Sequence, residues 1–201
     1  MRRLFVNILD SCVLAIIIVG VFLVVGVPQA FWLRSNTIRK CRIPLDAGKT
    51  FRGRRIFGEN KTLGGLVVMV PGITLAFGMT GLALAYWAPE WLEIIGWPVR
   101  SEEWLLLGFV TSCCYMLGEL PNSFVKRQWG VPAGGIPDHR LGRLLCFVAD
   151  QVDSVFAFML ALVFLVPTSW TLFGFIFVFG AVAHWLYNVV LFKMGLKSRA
   201  G

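Results

Sequence analysis

The stretch SCVLAIIIVGVFLVVGVPQAFW, residues 11–32, carries no charged side chain. About 20 apolar residues in a helix cross the hydrocarbon core of a bilayer. This run has that length, exceeds a signal-peptide core and lacks a small-residue cleavage site, so it reads as a span. Four further runs follow: residues 63–88, interrupted at Pro71-Gly72; 104–120, short for a span; 147–166; and 170–192, after a tight turn at Pro167-Thr168-Ser169. The polar residues between them come in short blocks that leave no room for a separate soluble domain. The expected fold is all-α: one integral membrane domain over residues 1–201, with about five transmembrane helices and two cytoplasmic polar loops. Composition agrees, since 57% of the chain is hydrophobic and only 15% charged, where soluble domains are about half apolar and a quarter charged. Mean hydropathy is +0.74.

The net charge of +8 would point to nucleic acid in a soluble protein. Here the positive-inside rule accounts for most of it and no polymer is implied. Of the 19 Lys and Arg, nine fall in residues 33–62, four in 121–146 and three in the C-terminal tail. The opposite side has Arg2, Arg3 and Arg100, with Glu90, Glu93, Glu102 and Glu103 near the last. The bias places both polar loops and the C-terminus in the cytoplasm, and the N-terminus outside. The five cysteines are odd in number and lack metal-site spacing, so neither a disulfide framework nor a zinc site is expected.

The first polar loop, Pro44 to Gly65, mixes glycine with cations and ends at a helix start. Glycine lets backbone approach a ligand, a helix N-terminus favours phosphate, and Arg and Lys add donors. Two readings remain open on this chemistry: a phosphate cradle and an ordinary positive-inside loop. A P-loop is excluded, because its spacing is absent.

The second polar segment begins with Glu119, continues through Asn122-Ser123-Phe124-Val125-Lys126-Arg127, and resumes at Asp150-Gln151-Val152-Asp153-Ser154. Asp150 and Asp153 are three apart, so a helix puts both carboxylates on one face. Acidic groups in or beside a span are costly and mark function. Three carboxylates at one depth repel one another unless a cation joins them, and hard oxygen ligands suit Mg²⁺ with phosphates. A helix cap at Asp150 explains one carboxylate but not three. Cations for phosphate beside a metal cluster indicate phosphoryl or nucleotidyl transfer. A site at the lipid edge implies a second substrate with a lipid tail.

At these residues the chain resembles the CDP-archaeol synthases, which transfer CMP from CTP to an isoprenoid ether glycerol phosphate and release pyrophosphate. Their first loop is matched by Pro44, Asp46, Gly48, Lys49, Phe51, Gly53, Arg54, Arg55, Phe57, Gly58, Lys61, Thr62 and Gly65. Their second segment is matched by Gly118 with an acidic residue, Ser123-Phe124, Lys126-Arg127 and Asp150-Gln151-Val152-Asp153. The related CDP-diacylglycerol synthases have similar elements. Glu119 stands where the family usually has Asp, and Glu59-Asn60, Leu63-Gly64 and a longer stretch from Gly130 to Phe147 also depart.

The resemblance implies CTP and a bilayer lipid phosphate as partners and Mg²⁺ as cofactor, held by Glu119, Asp150 and Asp153. Asp150, Asp153 and Lys126 would be catalytic. Lys126, Arg127 and Ser123 would meet substrate phosphates, with Asp46, Lys49, Arg54, Arg55, Lys61 and Thr62 as the facing wall. No protein nucleophile is needed. Packing the second span on the fourth would bring the Lys61-Thr62 helix start to Asp150, with Lys61 or Arg55 facing the same cavity as Asp153. His184 and Asn188 are expected to hydrogen-bond between helices, and His139 to be a solvated loop residue. Other lipid phosphates, and a carrier or degenerate homologue, are the rival readings.

Overall fold

The computed structural model describes residues 7–34 and 43–195. The Arg2-Arg3 tail, Arg39 to Arg42 and the tail cations beyond Lys193 lie outside the described residues. Five long helices, each apolar enough to cross a membrane, alternate in direction. They are α1 (Ile8–Arg34), α2 (Leu63–Trp87), α4 (Ser101–Gln128), α5 (Arg140–Leu165) and α6 (Trp170–Lys193), with a short α3 (Pro89–Ile95) in the connection before α4. A two-stranded hairpin, β1 (Thr50–Phe51) and β2 (Arg54–Arg55), belongs to the first polar loop.

The long helices close a ring, in which α1 packs on α2 and α6, α2 on α4, α4 on α5, and α5 on α6. Apolar side chains fill the middle, among them Ile18, Ile73, Phe77, Trp104, Met159 and Leu162. The outer faces stay apolar and exposed, as expected where lipid replaces water. At the end away from the polar loops, indole N–H groups close the bundle: Trp91 donates to Asp10, Trp97 to the Pro167 carbonyl and Trp104 to the Pro98 carbonyl, at 2.9, 3.1 and 2.8 Å.

Several boundaries differ from the sequence expectation. Residues 63–87 form one continuous helix through Pro71-Gly72, since neighbouring helices shield the backbone that proline disturbs. The third span is not short. Helix α4 runs through Pro121 to Gln128, so Asn122, Ser123, Lys126 and Arg127 ride on its last two turns instead of a loop. Helix α5 starts at Arg140, not near 147. Asp150 therefore lies ten residues inside it and caps nothing. The cap is His139, exposed as expected, whose Nδ1 accepts from the Gly142 N–H at 2.7 Å. Helix α2 does not pack on α5 as anticipated, because α4 stands between them. Glycine permits that close packing beside the polar groups: a Cβ on Gly118 would lie 2.4 Å from Ala157 Cβ and 3.1 Å from the Asp153 carbonyl.

Candidate active site

The first loop is organised around Asp46, which is 4% exposed. Its carboxylate accepts from the backbone N–H groups of Gly48, Phe57 and Gly58 at 3.1, 3.0 and 2.9 Å. It also takes Nε and Nη2 of Arg55 at 3.2 and 2.5 Å. Arg52 and Gly53, both at positive φ, turn the hairpin between β1 and β2. The loop closes on itself where Leu45 N–H donates to the Lys61 carbonyl at 2.8 Å, and Leu63 N–H to the Ile43 carbonyl at 2.9 Å. It docks on α4 through Phe51 against Phe124, ring centres 5.8 Å apart, and through Arg54, which donates to the Gln128 carbonyl.

The Arg55 guanidinium and the three backbone donors hold the Asp46 carboxyl well below the usual carboxylate range. A depressed carboxylate contributes stability above its ordinary value and loses it as pH falls through the depressed one. The wild-type loop should therefore resist trypsin equally at about pH 7 and about pH 5. Asp46→Asn, which loses the charge, should be cut faster at Lys49, Arg52 or Arg54 at both. Equal cutting of wild type and variant would remove Asp46 as the organiser.

Helices α4 and α5 bring the acidic residues together. Asn122 Nδ2 donates to Asp150 at 2.7 Å and to Asp153 at 2.8 Å, so two carboxylates converge on one nitrogen. The buried Ser154 hydroxyl joins Asp153 to Glu119, at 3.3 and 3.1 Å. Lys126 pairs with Asp150, and Lys61 reaches from the loop to Glu119. The two polar segments thus meet, although Lys61 meets α4 rather than Asp150 on α5. Thr62 caps α2, its hydroxyl accepting from the Gly65 N–H at 3.3 Å. Among the described residues no three acidic, thiol or imidazole groups are placed to hold a metal ion together, so Glu119, Asp150 and Asp153 do not form the expected three-carboxylate set. The convergent oxygens of Asp150 and Asp153 fit Mg²⁺ of the kind completed by substrate phosphates, which needs only one or two carboxylates.

Beside this cluster is an open cavity of ≈ 440 Å³ lined by Arg54, Arg55, Gly58, Glu59, Arg127 and the Gly130–Ala133 backbone turn. Arg127, 9% exposed, presses against Gly58, where an added Cβ would come within 3.2 Å of its Nη1. Its Nε is buried with no hydrogen-bond partner, and it feels the Asp150 charge. Lys49 is exposed on the loop and Ser123 is buried on α4; neither lines this cavity. A second, narrow cavity, ≈ 60 Å³ and almost wholly apolar, lies between α1, α5 and α6; Tyr115, Val155, His184 and Tyr187 are in its wall. Val155 follows Ser154 in α5, and Tyr115 lies one turn before Glu119 in α4. His184 and Asn188 form the expected bonds between helices, with Tyr115 and Gln151, each at 3.4 Å.

Sequence reasoning undervalued Asn122 and Ser154. Asn122 stands three residues after Glu119 and four before Lys126, a helical spacing, but Pro121 masked the continuation of the helix.

The fold is that of a polytopic membrane protein that gathers cations and carboxylates at one end of its bundle. A family model described as CarS-like CDP-archaeol synthase matches residues 13–200. A CDP-archaeol synthase from Saccharolobus solfataricus is 33% identical over 166 residues, 82% of this chain and 85% of its own length. Proteins of the same name from Sulfurisphaera tokodaii and Thermococcus onnurineus are each 32% identical, covering 77% of this chain and 80% and 81% of their own. No solved structure matches significantly. The chain belongs to the CDP-archaeol synthase family, and is a nucleotidyltransferase-type enzyme of lipid synthesis in a membrane.

Proposed function

We propose that the enzyme transfers the CMP unit of CTP to the phosphate of an isoprenoid ether glycerol phosphate, giving a CDP-lipid and pyrophosphate. The observation that carries this reading is that α4 and α5 set Asp150 and Asp153 together, while Arg127 on the same end of α4 lines a cavity with Arg54 and Arg55. Arg127, Arg54 and Arg55 hold the triphosphate. The glycerol end of the lipid reaches the mouth of the apolar cavity, its chains stay in the bilayer, and its phosphate lies at Lys126 and Lys61. A lipid phosphate oxygen attacks the α-phosphorus of CTP, the bond from that phosphorus to the bridging oxygen breaks, and pyrophosphate leaves with the electron pair. Mg²⁺ held by Asp150 and Asp153, with Glu119 behind them, would neutralise the charge that builds on the phosphoryl oxygens. Lys126 and Lys61 pass from carboxylate to phosphate as substrates enter, which keeps each ammonium paired inside the bundle.

The acceptor is tested with the purified enzyme, labelled CTP and a panel of dialkyl ether, diacyl and polyprenyl phosphates. The ether lipid is expected to give the highest kcat/KM; preference for another member reassigns the acceptor. The site faces the cytoplasm of the cell membrane, in keeping with the basic bias and the source of CTP. A reporter near Trp91 should read external and one at the C-terminus cytoplasmic; a cytoplasmic signal at Trp91 would overturn the orientation.

A further inference from the structure

The apolar cavity has a few hydrogen-bonding groups in its wall that the proposed reaction does not use. Tyr115, His184 and Tyr187 line it among hydrocarbon side chains such as Ile18, Phe158 and Ile176. Tyr187 donates its hydroxyl to Gln29 at 3.2 Å, so that hydrogen is engaged. Tyr115 differs. Its oxygen lies 3.4 Å from His184 Nδ1, long for a hydrogen bond, and the imidazole can serve as donor.

The depth of Tyr115 is informative. It precedes Glu119 by four residues, so it sits on the same face of α4 one turn further into the bundle. Four residues rise about 6 Å along the axis. That is about the distance separating a lipid phosphate from the glycerol oxygens that carry its chains, taking bonds of about 1.5 Å. A lipid whose phosphate reaches the carboxylates therefore presents its glycerol oxygens at the level of the Tyr115 hydroxyl.

We propose that Tyr115, oriented by His184, is a positioning residue that reads the glycerol backbone of the lipid phosphate. His184 Nδ1–H donates to the phenolic oxygen, and the phenolic O–H donates to a glycerol oxygen. An ether oxygen only accepts, so a donor is the group needed to recognise it. The inference rests on the proposed reaction, because it takes the lipid phosphate to sit at the carboxylates. It adds a specificity element inside the membrane, separate from the phosphate-binding cations.

Tyr115→Phe removes the hydroxyl and keeps the ring that packs on Phe22, centres 4.7 Å apart. The test compares two acceptors: a dialkyl ether glycerol phosphate, and the phosphate monoester of a single isoprenoid alcohol, which has no glycerol oxygens. Wild type should favour the glycerol lipid, and Tyr115→Phe should lower its kcat/KM by about fivefold through lipid KM. The monoester and the nucleotide KM should be unaffected. His184→Phe should shift the acceptor ratio in the same direction. A purely structural bond between α4 and α6 would lower both acceptors alike, and an unchanged ratio in both variants overturns the role of Tyr115. No turnover of either acceptor by wild type contradicts the proposed reaction itself, a distinguishable outcome.

Discussion

Asp150→Asn and Asp153→Asn should each lower turnover by about a thousandfold while the protein still inserts and purifies. The substitutions keep side-chain size and remove one charge. Asp150 and Asp153 converge on a single Asn122 nitrogen, and Lys126 has its ion pair with Asp150. An amide at either position can turn its own NH₂ towards Asn122, which then has no acceptor there. It also leaves Lys126 or the metal with one carboxylate fewer. Loss of a group that binds a phosphate-clamping cation removes several kcal/mol of transition-state stabilisation, and about 4 kcal/mol is three orders of magnitude in rate. Initial rates on variants with wild-type melting curves check the expectation. Activity within about tenfold of wild type in both would remove the pair from the chemistry.

Arg127→Ala should raise the nucleotide KM by about 50-fold and affect lipid KM little. Arg127 is buried against Gly58, its Nε lacks a partner, and it forms none of the ion pairs found among the described residues. A buried cation without a bonded anion is costly, and the cavity it lines is open to an anionic ligand. Hydrogen bonds from a guanidinium to phosphate are stronger than neutral ones, at about 1.5–3 kcal/mol each. Arg127→Lys should recover only part of the loss, because a point charge lacks the planar fork. Nucleotide binding measured by calorimetry separates this from a rate effect. Wild-type affinity in Arg127→Ala would move the triphosphate elsewhere.

The spans and their number were legible because bilayer thickness leaves a strong imprint: residues 11–32 can be little else. The ends of helices were not. Hydropathy falls at Asn122 and at Arg140 to Leu145, and a reading by hydropathy stops there. The backbone continues, because polar side chains near these ends find partners across the α4–α5 pair: Asn122 on two aspartates, Lys126 on Asp150, Ser154 on Glu119. The acidic cluster could be anticipated from the spacing of Asp150 and Asp153. The task of Asp46 could not. Its partners are backbone N–H groups of Phe57 and Gly58, and only the folded loop reveals them. Arg55, expected to bind phosphate, lines the cavity while its guanidinium also holds Asp46. The order of packing was equally hidden, since nothing in the sequence puts α4 between α2 and α5.

The fate of the CTP phosphorus atoms tests the central claim most directly. Purified enzyme is given lipid phosphate, Mg²⁺ and CTP labelled at either the α- or the γ-phosphorus. The account predicts that α-label enters the lipid and γ-label leaves as pyrophosphate, in equal amounts, with both lost in Asp153→Asn. Label passing from the γ-position to the lipid, or no transfer to any lipid phosphate, would contradict it.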